Sequence, residues 1–298
     1  MKISNAIKKF LNYEKVKGST DKTILNYKVR LNYFYEFLNK NIDVNKIKYE
    51  DYENFIIYLR KKEKPNKKKL STYTIKQYAR DVKTFLNYLY KQDLINIDFS
   101  KKLIVPKTSK KIIDILTFSD IEKIYAHYDK NSFFGCRNLL IITLMLDTGL
   151  RLSEVVNLCW SDFDFEKHLI KVFGKGQKER YVPLTSTISA YFILYKRFFD
   201  IQISNNIFIN AKGQQLSANA VELFIKRLKK SLNIKKLYPH LFRHTFATMF
   251  LMNGGNIYDL KIILGHTSLE MVENYLHLCT QLNIYKQAQF SPLTKKTR

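Results

Sequence analysis

The chain has 298 residues, of which 46% are hydrophobic and 14% aromatic, enough to build a sizeable core and to exclude general disorder. Lys and Arg number 51 against 26 Asp and Glu, so the formal net charge is +25. Such a surplus indicates a polyanionic partner, either nucleic acid or an anionic membrane surface. AT-rich coding would also enrich Lys, but it does not explain the scarcity of acidic residues, so we expect nucleic acid.

The cysteines and the apolar runs indicate the compartment. Cys136, Cys159 and Cys279 have no close spacing, which fits a reducing environment better than a disulfide framework or a zinc site. No apolar signal region follows Met1, and the longest apolar run, 139–146, is too short to cross a bilayer. We therefore expect a cytoplasmic protein without a membrane segment.

Residues 1–100 show the period of amphipathic helices. Apolar residues recur at spacings of three and four over 22–38 and over 72–90, and a shorter stripe covers 52–59. These patterns predict about four helices in a first domain.

The basic charge extends over this first domain. Residues 1–102 contain 24 basic and 11 acidic residues, a net charge of +13. The stretch 61–69 holds six Lys around Pro65 and predicts an exposed loop, for which a solvated charge run and a phosphate contact remain equally open.

A linker and a second domain follow. Residues 101–116 combine a proline, five Lys and no clear period, which is typical of a linker. Thr117 and Ser119 are candidate caps for the first helix of the second domain, 117–298. The pattern then predicts a buried helix over 137–148, a short helix over 154–158, a hairpin from 168–173 and 179–182, and helices near 186–199, 218–231, 240–252, 257–263 and 270–277.

The segment 238–244 reads Tyr-Pro-His-Leu-Phe-Arg-His. Pro239 suits the first turn of a helix, which would place His240 and Arg243 one turn apart on one face. An arginine in a first turn, beside free N–H groups, predicts a phosphate site. An ordinary exposed arginine would also fit. Zinc ligation by His240 and His244 is disfavoured, because no acidic or cysteine partner is near and Arg243 would repel the metal.

Four further positions are candidates. Arg151 lies between Gly149, which ends one helix, and Ser153, which can cap the next, so it projects from a tight turn. It would be either a solvated turn residue or a catalytic group, and Glu154 is placed to orient either Arg151 or a neighbouring histidine. Lys175 lies between two glycines of the predicted hairpin turn, where it would be either a solvated turn residue or a mobile cation. His266 follows a helix end, and Tyr275 comes nine residues later; neither is informative alone.

Taken in order and spacing, these groups resemble the tyrosine recombinase (phage integrase) family, especially its Xer-like members. The segments that carry the resemblance, over residues 117–290, are TGLRLSE at 148–154, GKGQKER at 174–180, HLFRH at 240–244 and LGHTSLEMVENYLH at 264–277. The resemblance implies catalytic roles for Arg151, Lys175, His240, Arg243, His266 and the nucleophile Tyr275. Phe242 and Val272 depart from the usual Leu and Thr of the family.

The resemblance also implies a fold and a reaction. The fold would be mainly α, with a helical core-binding domain over 1–100 and a mostly helical catalytic domain with a small antiparallel sheet. The reaction would be site-specific cleavage and rejoining of double-stranded DNA through a 3′-phosphotyrosyl intermediate, without metal, ATP or another cofactor. Four protomers would act on two DNA sites, with a related recombinase or a DNA translocase as a further partner. A type IB topoisomerase and a non-catalytic DNA-binding regulator are the alternatives.

Overall fold

The computed structural model describes residues 1–39, 41–63, 68–99, 102–107, 114–174, 178–199, 205–273 and 275–276. The chain separates into two compact units, Met1–Lys111 and Ile112–Arg298. Each unit encloses a large hydrophobic core of its own.

The described part of the first unit is helical. Side chains of Thr20 and Ser71 accept hydrogen bonds from the amides of Thr23 and Thr74, which caps the second and fourth helices. The helices predicted over 1–100 are confirmed: α1 (Ile3–Val16), α2 (Asp21–Phe37), α3 (Tyr49–Lys61) and α4 (Thr72–Lys91).

Aromatic side chains on the inward faces of these helices form the core of the first unit. Phe10 of α1 packs against Phe85 of α4 with ring centroids 5.6 Å apart, and Phe34 of α2 packs against Phe55 of α3 at 5.1 Å. All four rings are fully buried. Burial of these faces, rather than helix propensity, is the main source of stability for helices of this length.

The second unit is also mostly helical. Two predicted helix starts were wrong. The helix expected from 137 begins at Phe133, because the hydroxyl of Ser132 accepts a hydrogen bond from the amide of Gly135 and so caps the helix. Ser153 does not cap the short helix, which begins at Leu152. The described helices are α5 (Phe118–His127), α6 (Phe133–Thr148), α7 (Leu152–Val156), α8 (Ser186–Lys196), α9 (Ala218–Ser231), α10 (Pro239–Met252) and α11 (Ile257–Leu264).

A small antiparallel sheet lies between α7 and α8 in the chain. The predicted hairpin is confirmed as β2 (Leu169–Phe173) and β3 (Glu179–Pro183), and a two-residue strand, β1 (Phe163–Asp164), adds to its edge in the order β1-β2-β3. Ile170 lies opposite Val182, and both are buried. A strand as short as β1 shows no alternation and could not be predicted. The predicted fold class, mainly α with a small antiparallel sheet, is confirmed.

A smaller cluster of buried side chains lies at the end of the second unit. Residues 270–273 and 275–276 are helical, and Val272 and Tyr275 pack there against Ala247 of α10 and Leu260 and Leu264 of α11. The helix that carries Tyr275 is therefore anchored by apolar contacts. Among the described residues, no helix is both long enough and apolar enough to span a membrane.

Candidate active site

A left-handed turn at Gly149 brings α6 and α7 to the site. Gly149 has φ +65°, and a Cβ atom there would lie 2.5 Å from a ring carbon of Phe246 and 2.7 Å from a methyl of Leu264. The turn therefore requires glycine for both its conformation and its close packing. Two residues later Arg151 occupies the position before α7, with its side chain 30% exposed.

Glu154 is the carboxylate that organises this turn. Its Oε2 accepts a hydrogen bond from the Arg151 amide at 2.8 Å, and its Oε1 accepts one from Nη1 of the same arginine at 2.8 Å. Both oxygens also accept hydrogen bonds from Arg180 of β3, at 3.0 and 2.8 Å. Burial alone would raise the pKa of Glu154, but the bonds from Arg180 and Arg151 prevail and hold that pKa below its ordinary value. Glu154 is thus ionised and fully paired.

Three arginines converge on the last carbonyls of α11. A helix C-terminus carries partial negative charge, which favours cations there. Three successive carbonyls each accept a hydrogen bond from one arginine. The Ile263 carbonyl accepts from Nε of Arg180 at 2.8 Å, the Leu264 carbonyl from Nη2 of Arg243 at 2.8 Å, and the Gly265 carbonyl from Nη2 of Arg151 at a longer 3.5 Å.

Arg243 lies deeper than its sequence position suggested. It is the fifth residue of α10, not a first-turn residue, and only 3% of it is exposed, so both the first-turn prediction and the simple exposed alternative were wrong. Its Nη1 donates to the carbonyl of Gly149 at 2.6 Å, so it also binds the C-terminal end of α6. Burial and the nearby Arg151 lower the pKa of Arg243 to about 10, which leaves it protonated at neutral pH.

His266 follows directly on the end of α11. Gly265 before it has φ +61° and packs closely against the Arg180 guanidinium, where a Cβ would lie 3.2 Å away. Nε2 of His266 lies 2.8 Å from Nη2 of Arg243. Burial and the charges of Arg243 and Arg151 lower the pKa of His266 to about 4, so its ring is neutral at neutral pH.

Tyr275 points its hydroxyl back to α10. Only 4% of the residue is exposed, and its hydroxyl oxygen lies 2.8 Å from Nδ1 of His244. Burial raises the pKa of Tyr275, while Arg243 and Arg151 act against that rise. His240 lies one turn before His244 with ring centroids 6.2 Å apart. Burial and the charges of Arg243 and Arg151 lower the pKa of His240.

The structure thus brings together five of the six predicted residues: Arg151, His240, Arg243, His266 and Tyr275 are linked by hydrogen bonds or by electrostatic interaction. The sixth, Lys175, lies outside the described residues. On either side of this gap in the described residues, the amide of Gly174 donates a hydrogen bond to the carbonyl of Lys178 at 2.9 Å.

Sequence reasoning did not identify Arg180 and His244 as members of the site. Arg180 had a usable signal: it shares a strand face with the buried Val182, and an arginine on an inward face needs a partner. His244 belongs to the HLFRH segment and was considered only as a zinc ligand. Its hydrogen bond with Tyr275 has no signal in the sequence, because that contact depends on how the last helix packs against α10.

Comparison with known proteins identifies the family of the chain. The Phage integrase family pattern matches residues 114–281, and the Phage integrase SAM-like domain pattern matches residues 3–105. Tyrosine recombinase XerC of Leptospira interrogans is 28% identical, covering 96% of this chain and 93% of its own. Tyrosine recombinase XerC of Chlamydia caviae is 30% identical, and the match covers 92% of this chain and 94% of that relative.

A solved structure shares the fold. The XerH site-specific recombinase, in a post-cleavage complex with a palindromic difH substrate, has a TM-score of 0.73 and 22% identity, covering 92% of this chain and 82% of that one. The predicted family is confirmed over both units by pattern and by relatives. The chain belongs to the phage integrase family and is similar over nearly its whole length to Xer tyrosine recombinases.

Proposed function

We propose that this protein is a site-specific DNA recombinase that cleaves and rejoins DNA by a covalent bond between Tyr275 and a 3′ phosphate, without metal or ATP. The observation that carries the proposal is the position of a buried tyrosine hydroxyl beside a cluster of arginines with surplus positive charge. Tyrosine recombinases are the curated relatives that cover nearly the whole chain.

Charge balance in the site supports this chemistry. Arg151, Arg180 and Arg243 are positively charged. Among the described residues that form hydrogen bonds with these arginines, Glu154 contributes the one negative charge. The histidines are neutral, so the cluster carries a surplus of about two positive charges, from the fixed charges of these side chains. Attack of a tyrosinate on a phosphodiester creates a transition state of charge about −2, so the site complements the transition state better than the substrate.

The contacts of His266 support a phosphate-binding role. An arginine can only donate, so Nε2 of His266 must accept from Arg243, and the ring hydrogen must lie on Nδ1. Nδ1 is buried and has no hydrogen-bond partner among the described residues. A phosphate oxygen in the site would accept that hydrogen, which gives His266 a phosphate-binding role.

The remaining roles follow the family resemblance. Arg151 and Arg243 would bind the nonbridging oxygens, since the guanidinium fork matches phosphate geometry. Lys175 would donate a proton to the leaving 5′ oxygen, and His240 would assist proton transfer or phosphate binding. Residues 1–100 would also contact DNA.

Substitution of the nucleophile tests the reaction. Tyr275→Phe removes the attacking oxygen and keeps the ring in its apolar cluster. On a nicked suicide substrate it should form no covalent protein–DNA complex while retaining wild-type binding in a gel shift. The matched control is Tyr258→Phe, which alters an exposed tyrosine of α11. Covalent yield unchanged by Tyr275→Phe would contradict the assignment, and recombinant product from two-site DNA would separate a recombinase from a topoisomerase.

Assembly into a tetramer on two sites is a further part of the proposal. In the sequence, Leu278, Leu282 and Tyr285 recur at the spacing of one helical face, which predicts an apolar stripe in the tail; these residues lie outside the described part of the chain. The stripe would pack either on its own domain or, as the family resemblance suggests, on a neighbouring protomer. The second unit offers a groove of 630 Å³ that such a stripe from a neighbouring protomer would fill. Its apolar lining includes Tyr125 of α5, Leu146 of α6 and Phe246, Met249 and Phe250 of α10.

Tail variants test this exchange. Deletion of residues 280–298 should leave the melting temperature and single-site binding close to wild type but abolish synapsis and paired-site recombination. Leu282→Asp should reproduce the defect, whereas Gln281→Asp, with the same added charge off the stripe, should not. A truncated protein that recombines normally, or that is unfolded, would contradict docking in trans.

A further inference from the structure

His244 lies where the nucleophile needs a partner, although the family resemblance assigns no role to it. Its Nδ1 is 2.8 Å from the Tyr275 hydroxyl, a normal hydrogen-bond distance. The two rings pack at 5.6 Å between centroids with an interplanar angle of 47°. His240, to which the resemblance gives a role in proton transfer, forms no hydrogen bond with Tyr275 among the described contacts.

The direction of this hydrogen bond follows from burial. The Tyr275 side chain packs in an apolar cluster with Val272, Leu260 and Leu264, and a buried hydroxyl hydrogen needs an acceptor. In the described part of the chain, His244 Nδ1 is the acceptor within reach. Tyr275 therefore donates, and the His244 ring carries its own hydrogen on Nε2.

The protonation state of His244 agrees with this direction. Burial, His240 and Arg243 lower the pKa of His244 to about 4, so the ring is neutral and can accept at neutral pH. The charged or titratable groups that face the His244–Tyr275 pair are His240 and Arg243 on α10 and Arg151 on the turn before α7. A bound phosphate would offset the charge of Arg243 and so favour protonation of His244 when the reaction needs it.

From this geometry we propose that His244 is the proton acceptor for Tyr275 in strand cleavage, a role that rests on the recombinase function proposed above. The phenolic proton moves to Nδ1 as the Tyr275 oxygen bonds to phosphorus. The bond from phosphorus to the 5′ oxygen breaks, and that oxygen takes a proton from the general acid. In rejoining, the 5′ hydroxyl attacks phosphorus and returns its proton to the conjugate base of the general acid. The bond from phosphorus to the Tyr275 oxygen breaks, and that oxygen recovers its proton from His244.

The arrangement also fixes the orientation of the nucleophile. With its hydrogen directed at His244, the Tyr275 oxygen presents lone pairs, and not the O–H, to an approaching phosphate. A residue that only held the hydroxyl in place would need to accept a hydrogen bond but not a proton. An asparagine can do the first and not the second, which makes the two roles separable.

His244→Asn is the central variant, because its Oδ1 can occupy the place of Nδ1 and accept the hydroxyl. We expect covalent-complex formation on a nicked suicide substrate to slow by about 100-fold or more at pH 7, the usual contribution of a general base. Without an internal base the proton must leave to solvent, so the variant's rate should rise about tenfold per pH unit where the wild-type rate is flat. His168→Asn, at an exposed turn position, is the matched control and should behave as wild type.

Two further measurements make the test specific to the nucleophile's proton. A 5′-bridging sulfur substrate, whose leaving group needs no acid, should restore cleavage to Lys175→Ala but not to His244→Asn. Site-specific 3,5-difluorotyrosine at position 275, a more acidic phenol, should restore much of the rate of His244→Asn and change wild type little. Should His244→Asn melt below the assay temperature, His244→Gln replaces it.

Each outcome bears on one proposal. Wild-type rate and pH profile in His244→Asn, or no recovery by the acidic phenol, would overturn the role of His244. The proposed function fails separately, and in wild type itself, if no covalent complex forms through Tyr275. The role of His244 is supported if wild type is active and His244→Asn forms the covalent complex slowly, with a rate that rises with pH and recovers with 3,5-difluorotyrosine at position 275.

Discussion

Arg180→Gln removes the side chain that ties β3 to both Glu154 and α11. Arg180 and Glu154 are 10% and 3% exposed, and the change removes two hydrogen bonds to the carboxylate and one to the Ile263 carbonyl. Breaking a buried ion pair costs about 3–5 kcal/mol, because a buried charge is left behind. Glu154 keeps its bonds to Arg151, so we expect a loss of about 3 kcal/mol, the lower end of that range.

The pH dependence of this loss identifies its cause. Because the pKa of Glu154 is depressed in the folded protein, its paired carboxylate contributes stability above the unfolded pKa, about 4.3, and loses it as pH falls through the folded pKa. In Arg180→Gln the main cause of the depression is gone. The stability gap between wild type and variant should therefore be full at pH 7 and narrow below about pH 4.

Denaturant unfolding at pH 7 and at low pH measures both quantities. Arg227→Gln, at an exposed position of α9, is the control and should change stability by less than about 0.5 kcal/mol. Adding Glu154→Gln to Arg180→Gln should recover part of the loss, since it removes the stranded charge. The ion-pair reasoning would be refuted if the difference in unfolding free energy between wild type and Arg180→Gln were the same at both pH values. It would also be refuted if the stability losses of Arg180→Gln and Glu154→Gln simply added in the double variant.

The remaining predictions concern metal and salt. Cleavage should continue in excess EDTA, because the proposed charge stabilisation comes from Arg151, Arg243 and His266; full loss of activity that Mg²⁺ restores would contradict this reasoning. If both units contact phosphates, about 8 to 10 in total, log K for DNA should fall against log salt with a slope of about −7 to −9. Residues 117–298 alone should give a much shallower slope, and equal slopes would contradict binding by both units.

Much of the fold could be predicted because its signals are local. The helical period over 72–90 specifies which face of α4 is buried, and Gly149 marks a turn that only glycine fits. The hairpin is visible from the change of period around its glycine turn. In contrast, the start of α7 depends on a hydrogen bond from the Arg151 amide to the Glu154 carboxylate. From the sequence alone, Ser153 is the better candidate for a helix cap, so this start was not predicted.

The site could be predicted as a set of residues but not as an arrangement. Motif order identified Arg243, but its burial and its carbonyl partners depend on where α6 and α11 end in space. Likewise His244 becomes the partner of Tyr275 only when the last helix packs on α10. Long-range contacts of this kind leave no periodic trace in the sequence.

The choice of carbonyls as partners explains how Arg243, unlike Arg151 and Arg180, is held without a carboxylate that would neutralise it. A carboxylate would pair with the cation and cancel the charge proposed to bind a phosphate, whereas the C-terminal carbonyls of α6 and α11 offer partial negative charge. Arg243 uses three of its five N–H donors on Gly149, Leu264 and His266, which leaves two for an anion among its described contacts. Because two of these partners are backbone groups fixed by helix ends, the guanidinium is oriented before substrate arrives. Preorganised charge of this kind is the largest single source of catalysis in most enzymes, and here it depends on two glycine turns, at Gly149 and Gly265.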